Sequence, residues 1–159
     1  MNIFRNLFGQ KNQSNQPSDP IFPGESFSIS KVTFPDGWGL ATFNTKYDKY
    51  PNKLFFPWHV LIELEIVEKN DNGHPVETEA EKLAKLEEDI LTFLKSKHTV
   101  HFLGRVTRNG FRDLLYYIDK PNFIQDEVNT FCDNVMKERP INFGMENDPK
   151  WSAVSGFIK

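Results

Sequence analysis

The chain has 159 residues, with 19 Lys and Arg against 22 Asp and Glu, for a net charge of −3. That balance argues against a general polyanion binder, and 15 Phe within a 38% hydrophobic composition exclude a disordered chain. A single Cys excludes an internal disulfide framework and a Cys-based zinc ribbon, and no apolar run approaches the roughly 20 residues of a membrane-spanning helix.

Residues 1–9 (MNIFRNLFG) place Ile3, Phe4, Leu7 and Phe8 on one side of a short amphipathic helix, with Gly9 just past its end. They lack the apolar h-region and cleavage site of a secretory signal. Residues 10–20 are polar with two prolines and read as a linker. The expected layout is therefore an amphipathic segment plus linker over 1–20 and one domain over 21–159. Residues 26–34 and 38–47 are rich in β-formers and flank Pro35-Asp36-Gly37, which predicts a hairpin. In the next strand Trp58, Val60, Ile62, Leu64 and Ile66 alternate with His59, Leu61, Glu63, Glu65 and Val67, a period of two that buries one face.

Thr78 and Glu81 have capping-box spacing. A helix over 79–97 follows, with Leu83, Leu86, Ile90 and Leu94 in one stripe. Residues 98–107 and 111–118 form two strands around Asn109-Gly110, the strongest short hairpin signal in the chain. Their register stays open, because a two-residue loop and a bulged three-residue loop place Arg105, Asp113 and Tyr117 on different faces. Gly104 within this strand marks a bulge or a close backbone approach. Pro121 suits the first turn of a second helix, with Ile124, Val128, Phe131 and Val135 as its stripe and Arg139-Pro140 at its end. Residues 141–146 form the last strand. From Trp58 the order is strand, helix, strand, strand, helix, strand. This predicts an α+β fold of the ferredoxin-like split βαβ type: an antiparallel sheet with two helices on one face, preceded by the N-terminal β-hairpin.

The candidate chemistry is sparse. His98 and His101 stand three apart, which on a strand aims them at opposite faces, so no metal site is assigned. His59 and Glu63 share one face of their strand as a possible polar group, by default solvated. Cys132 sits among apolar helix positions and reads as a buried thiol. Phosphate loops, nucleophile elbows, zincin and EF-hand motifs are missing from the sequence, so no cofactor is assigned and an enzyme is disfavoured. Residues 111–118 lack the Gly-aromatic core of an RNA-recognition strand, which makes nucleic acid an unfavoured partner.

Three motifs carry a resemblance. Asn72-Gly73-His74-Pro75 followed by Glu81, Leu83, Leu86 and Glu88-Asp89-Ile90-Leu91 is the first. The hairpin from Phe102-Leu103-Gly104-Arg105 through Asn109-Gly110 and Arg112 to Tyr116-Tyr117 is the second, and Asp148-Pro149-Lys150-Trp151-Ser152 the third. Together they resemble the bacterial domain-of-unknown-function family 695. The resemblance implies a bacterial, cytoplasmic α+β protein, with a distant fold-level likeness to the regulator of ribonuclease E activity B, and it supplies no catalytic residues.

The reading these features favour is a non-enzymatic regulatory module that binds another protein through the open sheet face and the Asn109-Gly110 hairpin. Arg105, Arg112, Tyr117 and His101 are its expected contact surface, since Arg and Tyr anchor interfaces. The alternatives are a small-molecule sensor or enzyme built on His59, Glu63 and Arg105 in a sheet-face pocket and, more weakly, RNA binding. The oligomeric state is not readable from the sequence.

Overall fold

The structure, a computed structural model, describes residues 15–159, and the amphipathic reading of residues 1–9 lies outside them. Among the described residues six strands form one sheet in the order β1-β2-β4-β5-β3-β6. They are β1 (Phe27–Phe34), β2 (Gly37–Asn44), β3 (Trp58–Glu65), β4 (Val100–Arg108), β5 (Phe111–Ile118) and β6 (Ile141–Asn147). All five neighbouring pairs are antiparallel. The helices are α1 (Glu77–Lys95) and α2 (Gln125–Met136). The protein is thus an α+β chain with one antiparallel sheet, and its N-terminal hairpin extends that sheet beyond β4.

The alternation in β3 builds the first core. Val60, Ile62, Leu64 and Ile66 pack with Leu83, Ile90 and Leu94 of α1 and with Leu114, Tyr116 and Ile118 of β5. Phe131, Cys132 and Val135 of α2 press on the same cluster, so both helices lie over this face. Glu79, fully buried at the start of α1, accepts from Arg139 and from the Val67 amide. Burial alone would raise its pKa, but the Arg139 and Val67 donors hold the carboxyl below its ordinary range.

The opposite face is not open. The segment after β2, with Tyr47, Tyr50 and Phe56, and the C-terminal tail, with Trp151, Val154 and Ile158, cover it in a second core against Phe43, Leu103, Leu115 and Tyr117. Trp151 is completely buried, donates from Nε1 to the Phe56 carbonyl at 2.9 Å and stacks on Tyr117 at 4.2 Å. Packing reaches back past Ile21 to Ser18, whose amide and carbonyl both bond the Asn52 side chain.

The register is set at both ends of the β4–β5 hairpin. Asn109 and Gly110 have φ of 45° and 81°, a two-residue turn with both φ positive, and Arg108 pairs with Phe111. The ladder then skips Leu103, so that Leu103 and Gly104 fall on the tail side together and Arg105 moves to the helix side. Gly104 also lies against β2, where an added Cβ would collide with the Thr42 carbonyl and come within 2.8 Å of the Phe43 Cα.

Two local expectations are corrected. The capping box does not form: α1 begins at Glu77, after Val76, and the Thr78 hydroxyl donates to Glu68 instead. Pro121 precedes α2 in an irregular segment, because Phe123 must turn inward to meet His98 and Phe143 before Gln125 starts the helix.

Replacing Gly104 with Ala is expected to destabilise the chain by about 1–3 kcal/mol or more, through the collision with β2. Gly156→Ala, where an added Cβ meets nothing, should stay within about 0.5 kcal/mol of the parent. Urea denaturation of both variants checks the contrast.

Candidate functional site

The four residues expected to share one surface are divided between the two faces of the sheet. Arg105 and Arg112 lie beneath α1, where each donates to one oxygen of Glu87, at 2.8 and 2.9 Å. Arg112 is buried and also donates from Nε to the Thr107 hydroxyl. His101 and Tyr117 pair across β4 and β5 on the tail side, and both have no exposed area. The Tyr117 hydroxyl donates to Asp148 at 2.6 Å, which ties the tail to the sheet. The one-residue skip at Leu103 separates Arg105 from His101, and the tail covers Tyr117.

His59 and Glu63 also point to the tail side, so Arg105 cannot join them in one pocket. His59 turns Nδ1 toward Glu146 at 3.3 Å, while its Nε2 is buried without a partner. Glu63 faces Asp113 across the ladder and accepts from Asn142. Burial holds the Asp113 carboxyl above its ordinary range, with Arg108 opposing and Glu63 adding to the shift. His98 lies apart from His101, against Phe123 and Asp119. Among the described residues, no group of three or more His, Cys, Asp or Glu is placed to hold a metal ion.

The state of His101 follows from its neighbours. The Tyr50 hydroxyl donates to the Ile21 carbonyl, so toward His101 Nε2, 3.3 Å away, it acts as acceptor. Nε2 therefore carries the proton, and Nδ1 accepts from the Tyr47 hydroxyl at 3.0 Å. Phe56 packs on the ring at 4.2 Å. Among the described residues no carboxylate faces this imidazole, and burial pulls its pKa down to about 4. The network is a neutral structural one that holds the loop after β2 on the sheet.

The N-terminal edge of the sheet is accessible. Among the described residues β1 pairs only with β2, in unbroken register from Phe27↔Asn44 to Phe34↔Gly37, and it contains neither proline nor bulge. No described residue pairs with its other edge along the eight residues, six of them exposed. On the helix side of the hairpin Phe27, Ile29 and Leu40 form an exposed apolar row, with Ile29 72% exposed. Lys31, the only charge on the strand, lies with Nζ 4.5 Å from the centroid of the Trp38 ring. Trp38 is stacked in turn on His74.

The row runs into a recess of about 300 Å³ between the 22–27 segment and the end of α1. Phe22, Phe27, Leu91 and Phe102 line it together with Glu25 and Lys95. The buried Asn44 side chain fixes this rim, donating to the Gly24 carbonyl at 2.8 Å and accepting from the Ser26 amide at 3.0 Å. The one signal for the edge in the sequence is the phase of β1. Phe27 and Ile29 fall on one face while Val32 and Phe34 fall on the other, so apolar residues are presented on both sides.

Residues 40–158 match the model of a family of unknown function, DUF695. The chain belongs to this family. No curated protein and no solved structure matches it. The DUF695 match spans both cores, the Glu87 ion pairs and the His101 network, and it starts within β2. The edge strand β1 and the Phe22–Phe27 rim precede it.

The lowered pKa of His101 gives stability a pH dependence. The unfolded imidazole, near 6.5, binds a proton more readily than the folded one, near 4. The contribution is complete above pH 6.5 and lost as pH falls toward 4, on the order of 3 kcal/mol in total. In a His101→Gln variant this part of the slope should vanish, so the stability difference from the parent should shrink between pH 7 and 4. Urea titrations across that range measure it.

Proposed function

We propose that this DUF695 chain is a non-enzymatic module that binds another protein by strand addition at β1. The observation that carries the reading is the unbroken edge of β1, unpaired among the described residues, beside the exposed row Phe27, Ile29 and Leu40. Main-chain N–H and C=O groups along such an edge pair with an extended segment, and alternate side chains supply selectivity. Natural sheets blunt an edge with proline, bulges or projecting charge. β1 uses none of the first two, and its Lys31 is folded back over Trp38. The opposite edge, β6, is shorter and carries Glu146. A partner strand laid on β1 would also cover the apolar row, removing from water the largest exposed side chains of the hairpin.

The interior positions of Arg112, Tyr117 and His101 support moving the contact surface from the sheet face to this edge. Regulation through such binding, and a location in the cytoplasm, are parts of the same reading. The order β4-β5-β3-β6, with α1 joining β3 to β4 and α2 joining β5 to β6, supports a ferredoxin-like split carrying the hairpin as an addition on the β4 side.

Photo-crosslinking from position 28 or 30 of the full chain in its host, with position 137, just past the end of α2, as control, tests the proposal. The expected result is one recurrent protein adduct from the strand positions, lost when Ile29 is replaced by Lys, which leaves the core untouched. An adduct of twice the chain mass would make the partner a second copy. No adduct from β1, or equal adducts from position 137, would overturn the reading.

A further inference from the structure

The recess beside Phe27 has a composition that edge pairing does not use. Its walls are the rings of Phe22, Phe27 and Phe102 and the side chain of Leu91. Each of its other polar side chains is engaged elsewhere: Asn44 holds Gly24, Ser26 and Lys46, and the Tyr47 hydroxyl bonds His101. Glu25 and Lys95 are left, opposite in charge, both exposed, and neither has an ion-pair or hydrogen-bond partner among the described residues. Glu25 lies on the Tyr47 side, where its charge helps raise the pKa of that phenol behind the larger effect of burial. Lys95 closes the last turn of α1. The Asn44 clamps on either side of Glu25 hold the rim in place before any ligand arrives, which lowers the cost of binding.

The geometry points to a site for a free α-amino acid with a large apolar side chain. The side chain lies among the three rings and Leu91, the α-carboxylate meets Lys95, and the α-ammonium meets Glu25. At about 300 Å³ the recess is at the small end of ligand pockets, which suits one residue rather than a peptide. An anion alone would face the Glu25 carboxylate, and a cation alone would face the Lys95 ammonium. A zwitterion matches both, and the apolar lining supplies the affinity that two exposed ion pairs lack. This site stands apart from strand addition, because its occupant makes no main-chain ladder with β1.

Calorimetric titration of the full chain with L-leucine and L-phenylalanine, beside their amides and N-acetyl derivatives, tests the assignment. The free amino acids should bind saturably and raise Tm with concentration. The amides, which lack the carboxylate, and the N-acetyl forms, which lack the ammonium, should bind at least about tenfold more weakly. Lys95→Met should bring the free acid down to the level of the amide, and Glu25→Gln down to that of the N-acetyl form. Both replaced side chains are exposed, so the fold should tolerate the changes. The absence of saturable binding up to about 10 mM, equal binding of acid and amide, or parent-like binding by both variants would each overturn the assignment.

Discussion

Trp151 is the side chain on which the arrangement of this protein turns. It sits in a left-handed conformation at φ 58°, directs its indole N–H to the Phe56 carbonyl and lays its ring on Tyr117. An antiparallel sheet with helices on one side commonly leaves its other face to water. Here Trp151, followed by Val154 and Ile158, converts that face into a second core. The Tyr117–Asp148 hydrogen bond fixes the chain immediately before the tryptophan, and the Tyr47–His101–Tyr50 network fixes the loop on its other side. A buried indole needs a partner for its N–H as well as apolar contact, and this site supplies both.

Closure of the second face redistributes the polar residues. Arg105 and Arg112 satisfy one carboxylate, Glu87, beneath α1, and Arg139 satisfies Glu79 at the other end of the helix. Arg112 and Arg139 are buried and Arg105 is partly exposed; a buried pair adds little net stability, while loss of one partner leaves an uncompensated charge inside. The guanidinium groups that would suit an interface are thus committed to positioning α1. Phe22, Phe27, Ile29 and Leu40 are exposed side by side where the sheet was extended, and the proposed binding surfaces follow from that placement.

The parts of the fold legible in the sequence were those set by local periodicity. Alternation over 58–66 identified β3, the Leu83–Leu94 stripe identified α1, and Asn109-Gly110 marked a turn that demands two positive φ values. Gly104 was readable as a special position, and it proves to be both a bulge and a close approach to β2. The face to which Arg105 points was not legible, because a single skipped residue inverts everything beyond it. Coverage of the sheet by the tail was equally hidden: it depends on contacts between Trp151 and residues such as Phe56, nearly a hundred positions away in sequence. The edge left only the changing phase of apolar residues in β1 as its trace, and Glu25 and Lys95 come to line one recess only through the tertiary fold.

Native-state hydrogen exchange on the full chain tests the closed sheet face most directly. If Trp151 seals it, the Trp151 indole N–H and the amides of β4 and β5 exchange only through global unfolding, while the outward amides of β1 exchange at low opening free energy. Exchange of the Trp151 indole and of residues 148–158 well ahead of the β5 amides would show a tail that lifts away. That result would return His101 and Tyr117 to the surface and contradict the account.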